Sequence, residues 1–315
     1  MIRQRLGKDL LFFDGGMGTL LQEKGLAPGE LPETWNLTHS EEIYKIHRQY
    51  IEAGSDIILT NTFGANALKF HDDSCSLEEI IKAAVSHVKK AEREALLQTG
   101  DERKIYTALD VGPTGKLLKP MGDLEFETAY EAFKEVVILG EQAGADLIHI
   151  ETMSDTYELK AAVLAAKENT SLPVFATVIF DERKKLLTGA DVSSVVALLE
   201  GLGVDALGIN CAMGPKEMLP VLEELIKYSS VPIIVKPNAG LPKQRDGETY
   251  YDVEPEQFAK TMEMIVETGA CVIGGCCGTT PDHIRAMIAQ CKDLLIKTPE
   301  KKVHTIVSSY GQAVM

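Results

Sequence analysis

The sequence predicts a single-domain α/β fold, a (β/α)₈ or TIM barrel. Three observations predict it. A helix–glycine–strand phrase recurs along the chain, eight short apolar runs alternate with stretches long enough for helices, and no composition break interrupts the pattern before about residue 296. At 315 residues the chain is long for an ordinary domain, but an eight-fold barrel takes roughly 250 residues.

Taken in order, Leu10–Phe13 is the first strand candidate. Ile57-Ile58-Leu59 follows the phrase Ala53-Gly54-Ser55-Asp56, and Ile105–Leu109 is the third candidate. Leu147-Ile148-His149-Ile150 follows Ala143-Gly144-Ala145-Asp146, and Val174–Phe180 is the fifth. Ala206-Leu207-Gly208-Ile209 follows Leu202-Gly203-Val204-Asp205, and Ile233–Val235 is the seventh. Val272-Ile273 follows Thr268-Gly269-Ala270-Cys271. Each glycine of the phrase stands where a helix would end in a left-handed cap, and each run after it reads as a buried strand. A doubly wound open sheet is the alternative, but no G-x-G-x-x-G follows the first strand. The barrel is expected to occupy residues 1–296. Residues 297–315 read as a linker-like tail, beginning Lys297-Thr298-Pro299-Glu300-Lys301-Lys302, whose stretch Ile306–Tyr310 can pair or pack without forming a further βα unit.

Composition narrows the function. Hydrophobic residues are 45% and charged residues 25%, the mix of a globular protein with a core large enough to fold without metal or disulfide. With 32 Lys and Arg against 47 Asp and Glu, the net charge of −15 repels a polyanion, so nucleic acid is not an expected partner. No apolar run reaches the roughly 18 residues of a membrane span, and Met1-Ile2-Arg3-Gln4-Arg5 does not open a signal peptide. The expectation is a cytoplasmic protein that does not enter a membrane.

Barrels of this class place chemistry at the C-terminal ends of their strands. There the sequence turns polar: Asp14-Gly15-Gly16-Met17, Thr60-Asn61-Thr62-Phe63, Asp110-Val111-Gly112-Pro113, Glu151-Thr152, Asn210-Cys211, Lys236-Pro237-Asn238 and Gly274-Gly275-Cys276-Cys277. Of the six cysteines, Cys211, Cys276 and Cys277 lie at the exits of strands six and eight, around one mouth. Three sulfurs and one exchangeable position make a catalytic zinc site, and glycines flanking the adjacent pair permit the irregular backbone it needs. A vicinal disulfide, in a non-catalytic thiol-binding or redox-sensing module, is the alternative reading. Zinc bound by three thiolates suits a fourth thiolate better than a hydrolytic water, which points to alkylation at substrate sulfur. Asp14 and Glu151 can take an ammonium group on such a substrate, or can merely cap helices. His149 shares the strand face of Glu151, points into the barrel, and reads as a structural histidine.

Together these residues resemble the homocysteine-dependent S-methyltransferase family. Asp14-Gly15-Gly16-Met17-Gly18-Thr19, Thr60-Asn61-Thr62-Phe63-Gly64-Ala65, Gly208-Ile209-Asn210-Cys211 and Gly274-Gly275-Cys276-Cys277-Gly278-Thr279-Thr280-Pro281 match its pattern in order across nearly the whole chain. Val111-Gly112-Pro113-Thr114-Gly115, Lys236-Pro237-Asn238-Ala239-Gly240 and Val307-Ser308-Ser309-Tyr310 lean toward the N-terminal homocysteine-binding modules of the cobalamin-dependent methionine synthases. The resemblance implies zinc on Cys211, Cys276 and Cys277, with the homocysteine thiol as fourth ligand and methionine as product. It implies that Asp14 and Glu151 take the amino group, that Thr60, Asn61 and Thr62 bond the polar end, and that Met17 and Asn210 line the pocket. The implied methyl donor is methylcobalamin on another domain or protein; S-methylmethionine or betaine, used by a stand-alone enzyme, is the alternative. The long polar connections Val111–Glu125 and Gly240–Pro255, the latter with Tyr250 and Tyr251, read as docking surface for a bulky donor.

Overall fold

A computed structural model describes residues 1–70, 75–100, 102–245, 248–303 and 305–314. Eight parallel strands form its sheet: β1 (Leu11–Phe12), β2 (Ile57–Leu59), β3 (Tyr106–Val111), β4 (Leu147–Met153), β5 (Val174–Val178), β6 (Ala206–Asn210), β7 (Ile233–Lys236) and β8 (Val272–Ile273). They run in the order β1-β8-β7-β6-β5-β4-β3-β2, and a parallel bridge from Phe13 to Ile57 joins the two ends. The expected (β/α)₈ barrel is therefore present, with every expected strand in place. Boundaries shift by one to three residues at most strands: β1 and β5 are shorter than expected, β3 continues to Val111, β6 and β7 each gain a residue, and β4 continues through Glu151 to Met153, its register against β5 shifting between Ile150 and Met153.

The principal helices are α1 (Ser40–Ala53), α2 (Leu77–Thr99), α3 (Phe126–Ala143), α4 (Thr156–Asn169), α5 (Val192–Gly201), α6 (Pro215–Tyr228), α7 (Pro255–Thr268) and α8 (Pro281–Cys291). The recurring phrase has a structural reason. Gly54 and Gly144 close α1 and α3 in left-handed conformation, at φ 116° and 97°. The aspartate that follows turns back to a neighbouring strand: Asp56 accepts from the Phe12 N–H, Asp146 from Thr107 and Asp205 from Val174, at 2.9–3.1 Å. Each turn thus ends a helix and pins the start of an adjacent strand.

Side chains alternate inward and outward along each strand. The inward set, including Phe13, Leu59, Tyr106, Leu147, Phe175 and Ile234, fills the barrel, with Ile2 closing its lower end. The outward set packs beneath the helices. Two residues further along the inward alternation, Ala108 gives way to Asp110, His149 to Glu151, Gly208 to Asn210 and Ile234 to Lys236. The lumen is apolar below and polar at its mouth.

Two peripheral segments have structure of their own. The β7–α7 connection contains an antiparallel pair, Lys243–Arg245 with Glu248–Tyr250; residues 246 and 247 of that connection lie outside the described residues. In the tail, Val307–Ser308 pairs with Ala313–Val314, the Tyr310 hydroxyl donates to Asp155 Oδ1 at 2.8 Å, and its ring meets Tyr157 edge-on at 5.5 Å. Residues 304 and 315 of the tail are likewise outside the described set. Among the described residues, no helix is long and apolar enough to cross a membrane.

Candidate functional site

A cavity of about 250 Å³ opens at the mouth of the barrel, lined by residues from the exits of β1, β2, β3, β4, β6, β7 and β8. On one side stand Cys211, Cys276 and Cys277, whose sulfurs all lie within 4.8 Å of one another. All six cysteines are free thiols, and Cys211 Sγ lies 3.8 Å from Cys277 Sγ. Sulfurs held tetrahedrally at about 2.3 Å from one zinc stand roughly 3.8 Å apart. The donor set and its spacing therefore fit zinc with a fourth position left over. The Cys211 sulfur accepts hydrogen bonds from the Cys276 and Cys277 thiols and is pulled far below the usual thiol range, while the other two are pushed up. A divalent cation bound here would favour the thiolate form of all three.

β7 positions both cysteine loops. The Cys211 N–H donates to the Lys236 carbonyl at 3.0 Å, and the Cys276 N–H donates to the next carbonyl, Pro237, at 2.8 Å. The Cys277 carbonyl in turn accepts from the Ala239 N–H. Cys211 and Ala212 adopt left-handed backbone, φ 57° and 59°, a conformation costly without glycine and held here by the neighbouring strand. Thr152, beside Glu151, does the same at φ 63°. The irregularity expected of the glycine-flanked pair is thus shared with Cys211 itself. At the pair, Gly278 has φ 76°, and a Cβ on it would meet the Tyr251 ring at 2.3 Å.

Glu151 lies at the centre of the polar layer. Lys236, 1% exposed, donates from Nζ to Glu151 Oε2 at 2.5 Å, and His149 Nε2 lies 3.2 Å from the same oxygen. Burial acts to raise the Glu151 carboxyl, but Lys236 and then His149 overcome it and hold the group well below its ordinary value. The Lys236 ammonium also rests 4.7 Å from the centre of the buried Phe13 ring. Burial and the Lys236 charge push His149 down to about 4, so it is neutral, and its other ring face packs on Phe13 at 4.8 Å.

The other anticipated residues divide into those facing the cavity and those behind it. Met17, Thr60 and Asn61 line it with Glu151 and the cysteines; Asp14, Thr62 and Asn210 do not. Asp14 is buried outside the lining, where Oδ2 accepts from the Leu59 N–H at 2.9 Å and Oδ1 has no partner. Burial pushes its carboxyl up to about 7 against the pull of Lys236. Thr62 shares a 2.7 Å hydrogen bond with Thr60 and donates to the Asp110 carbonyl, so this pair braces β2 against β3. The Asn61 amide donates to the Pro32 carbonyl. Asn210 donates to Thr152 Oγ1 at 2.8 Å and accepts from the Thr152 N–H at 2.9 Å, which fixes the left-handed turn after Glu151. Neither Asp14 nor Glu151 caps a helix: Gly16 and Asp155 hold the N-caps that follow.

Three charged residues of the cavity were not singled out from the sequence: Glu33, Asp110 and Lys236. Counting the inward alternation from Ala108 and Ile234 would have found the last two. Glu33 sits in the long β1–α1 connection and is buried because its Oε1 accepts from the Gly64 N–H at 2.5 Å, a contact no local pattern announces.

Comparison with known proteins agrees with this geometry. A sequence model of the homocysteine S-methyltransferase family matches residues 11–291. Methionine synthases of Mycobacterium leprae (strain TN) and Mycobacterium tuberculosis (strain ATCC 25618 / H37Rv) are each 35% identical over 95% of this chain, which spans 26% of either relative. The chain is thus about a quarter of the length of the curated relatives it matches. Crystal structures of the homocysteine methyltransferase MmuM from Escherichia coli, in oxidized and metallated forms, superpose with a TM-score of 0.77 at 25% identity, covering 90% of this chain and 96% of that one. Fold, cavity and sequence match converge, and this chain belongs to the homocysteine S-methyltransferase family.

Proposed function

We propose that this chain catalyses zinc-dependent methyl transfer to the thiol of homocysteine, giving methionine, with methylcobalamin on another domain or protein as donor. The observation that carries the reading is the convergence of three sulfurs and a buried carboxylate, Glu151, on one cavity. Cys211, Cys276 and Cys277 would hold the zinc. When bound, that ion supplies an open position at which a substrate thiol loses its proton while its sulfur remains nucleophilic.

The protein's own groups do the rest. Glu151 receives the substrate ammonium, and Asp14, buried behind the lining, ionises more readily when that charge arrives. Thr60 and Asn61 stand at the polar end, Thr62 braces Thr60, and Asn210 keeps Glu151 aimed by fixing Thr152. The homocysteine sulfur then forms a bond to the methyl carbon while the bond from that carbon to its carrier breaks, the electron pair staying with the carrier. The connections Val111–Glu125 and Gly240–Pro255 would receive the donor. The mycobacterial methionine synthases, about four times longer than the match, support a donor delivered by other domains.

A second reading has its own support. MmuM is matched over 96% of its length, so a barrel of this size can be a whole enzyme, with S-methylmethionine or betaine as the donor here. A parallel methyl-transfer assay with homocysteine and each of methylcobalamin, free or carried on a cobalamin domain, S-methylmethionine and betaine decides between them. Efficient turnover with either small donor and none with methylcobalamin rejects the first reading.

A further inference from the structure

The three cysteines hydrogen-bond one another through thiol protons that a bound cation would expel. Each sulfur also has a donor from outside the trio, which would stay. Within the left-handed turn, the Ala212 N–H donates to the Cys211 sulfur. Asn210 Nδ2 reaches the Cys276 sulfur at 3.9 Å. The orientation of that amide is set, because its Oδ1 accepts from the Thr152 N–H at 2.9 Å and from the Thr177 hydroxyl at 2.8 Å. The Tyr251 hydroxyl donates to the Cys277 sulfur.

Tyr251 is placed for this by its own segment. Its ring lies directly against Gly278, where a side chain would collide with it. Two residues on, the Val253 N–H donates to the Ala239 carbonyl at 3.0 Å, and the Val253 carbonyl accepts from His283 Nε2 at 2.8 Å. The segment is thus strapped between the β7 exit and α8, across the Cys277–Gly278 turn. Neither Tyr251, Asn210 nor Ala212 lines the cavity. A sulfur entering through the cavity meets none of the three donors.

Four similar sulfurs would share the metal once a substrate thiol is bound, three of them the protein's own. A hydrogen bond to a thiolate draws charge from its lone pair, and nucleophilicity falls with basicity. We propose that these donors decide which sulfur is methylated: Ala212, Asn210 and Tyr251 each quench one protein sulfur, and the substrate sulfur, lacking such a donor, takes the methyl group. Tyr251 acts through Cys277 and is a positioning residue. This inference rests on the zinc-dependent thiol methyltransferase reading and concerns the selectivity of that site.

The test uses iodomethane, a small electrophile, on the zinc-loaded chain with and without homocysteine, and peptide mass spectrometry to locate the methyl group. At each methylated sulfur an S–C bond forms as the C–I bond breaks, and iodide leaves with the electron pair. Wild type with homocysteine should give methionine and leave Cys211, Cys276 and Cys277 unmodified. Without homocysteine, Tyr251→Phe should be methylated at Cys277 about tenfold faster than wild type, with Cys211 and Cys276 unchanged and the zinc retained. In the cobalt-loaded chain the same substitution should move the sulfur-to-metal charge-transfer band to longer wavelength, a shift that a merely structural role would not produce. Tyr310→Phe, which loses a hydroxyl bonded to Asp155 instead, should change neither readout. An unchanged Cys277 rate and band, equal acceleration at all three cysteines, or loss of the metal from Tyr251→Phe overturns the inference and leaves the methyltransferase reading standing. A wild type that binds no zinc sinks both.

Discussion

Lys236 Nζ and Glu151 Oε2 stand 2.5 Å apart with both side chains buried, so the barrel mouth contains an ion pair of the protein's own. The carboxylate expected to meet a substrate ammonium already has a cation beside it. Removing one partner from a buried pair leaves the other uncompensated, and typically costs about 3–5 kcal/mol. Lys236→Met should therefore lower stability by roughly 3 kcal/mol in urea unfolding. Lys236→Met combined with Glu151→Gln should recover most of the loss. A double variant no more stable than the single one would show that the pair is not the source.

Zinc content is the direct check on the cysteine cluster. Cys211→Ala, Cys276→Ala and Cys277→Ala should each abolish stoichiometric zinc after dialysis while circular dichroism stays that of the wild type, because the core does not need the metal. A variant that keeps one zinc per chain removes its cysteine from the ligand set.

Stability should depend on pH through His47. This side chain on α1 is fully buried, and neither ring nitrogen has a partner. Burial, and secondarily His87, push it from 6.5 down to about 3. Below pH 6.5 the unfolded chain takes up a proton that the folded one refuses, so this contribution is present above pH 6.5 and drains away as pH falls toward 3. The slope is at most about 1.4 kcal/mol per pH unit. His47→Leu should flatten the curve in that window. An unchanged slope in the variant would locate the pH dependence elsewhere.

The tail offers a separable test of domain organisation. A chain ending at residue 296 should still unfold cooperatively and bind zinc. Tyr310→Phe, which removes the hydroxyl bonded to Asp155, should cost only about 1 kcal/mol. Loss of cooperative folding on truncation would make the tail part of the barrel domain.

The barrel was legible in the sequence because its signal is repetitive and local: a glycine cap, an aspartate and an apolar run, again and again. The cysteine cluster stood out for another reason, since adjacent cysteines between glycines have few structural uses. Lys236 and Asp110 were quoted at strand exits and passed over, because one charged residue after an apolar run resembles any strand end. Only inward alternation carried across neighbouring strands separates a lumen-facing lysine from a solvated one. Glu33 and the left-handed backbone at Cys211 lay beyond reach, since both depend on contacts between segments far apart in the chain.

The carbonyls of Lys236 and Pro237, which receive the N–H groups of Cys211 and Cys276, belong to consecutive residues. Neighbouring Cα atoms of a trans chain are about 3.8 Å apart whatever their side chains. The spacing of the two sulfur-bearing loops is therefore ruled by covalent geometry more than by packing. Sequence drift in the surrounding core can repack without changing that gap, whereas one residue inserted between Lys236 and Pro237 would throw the loops out of step. Length, more than composition, is what this strand has to conserve.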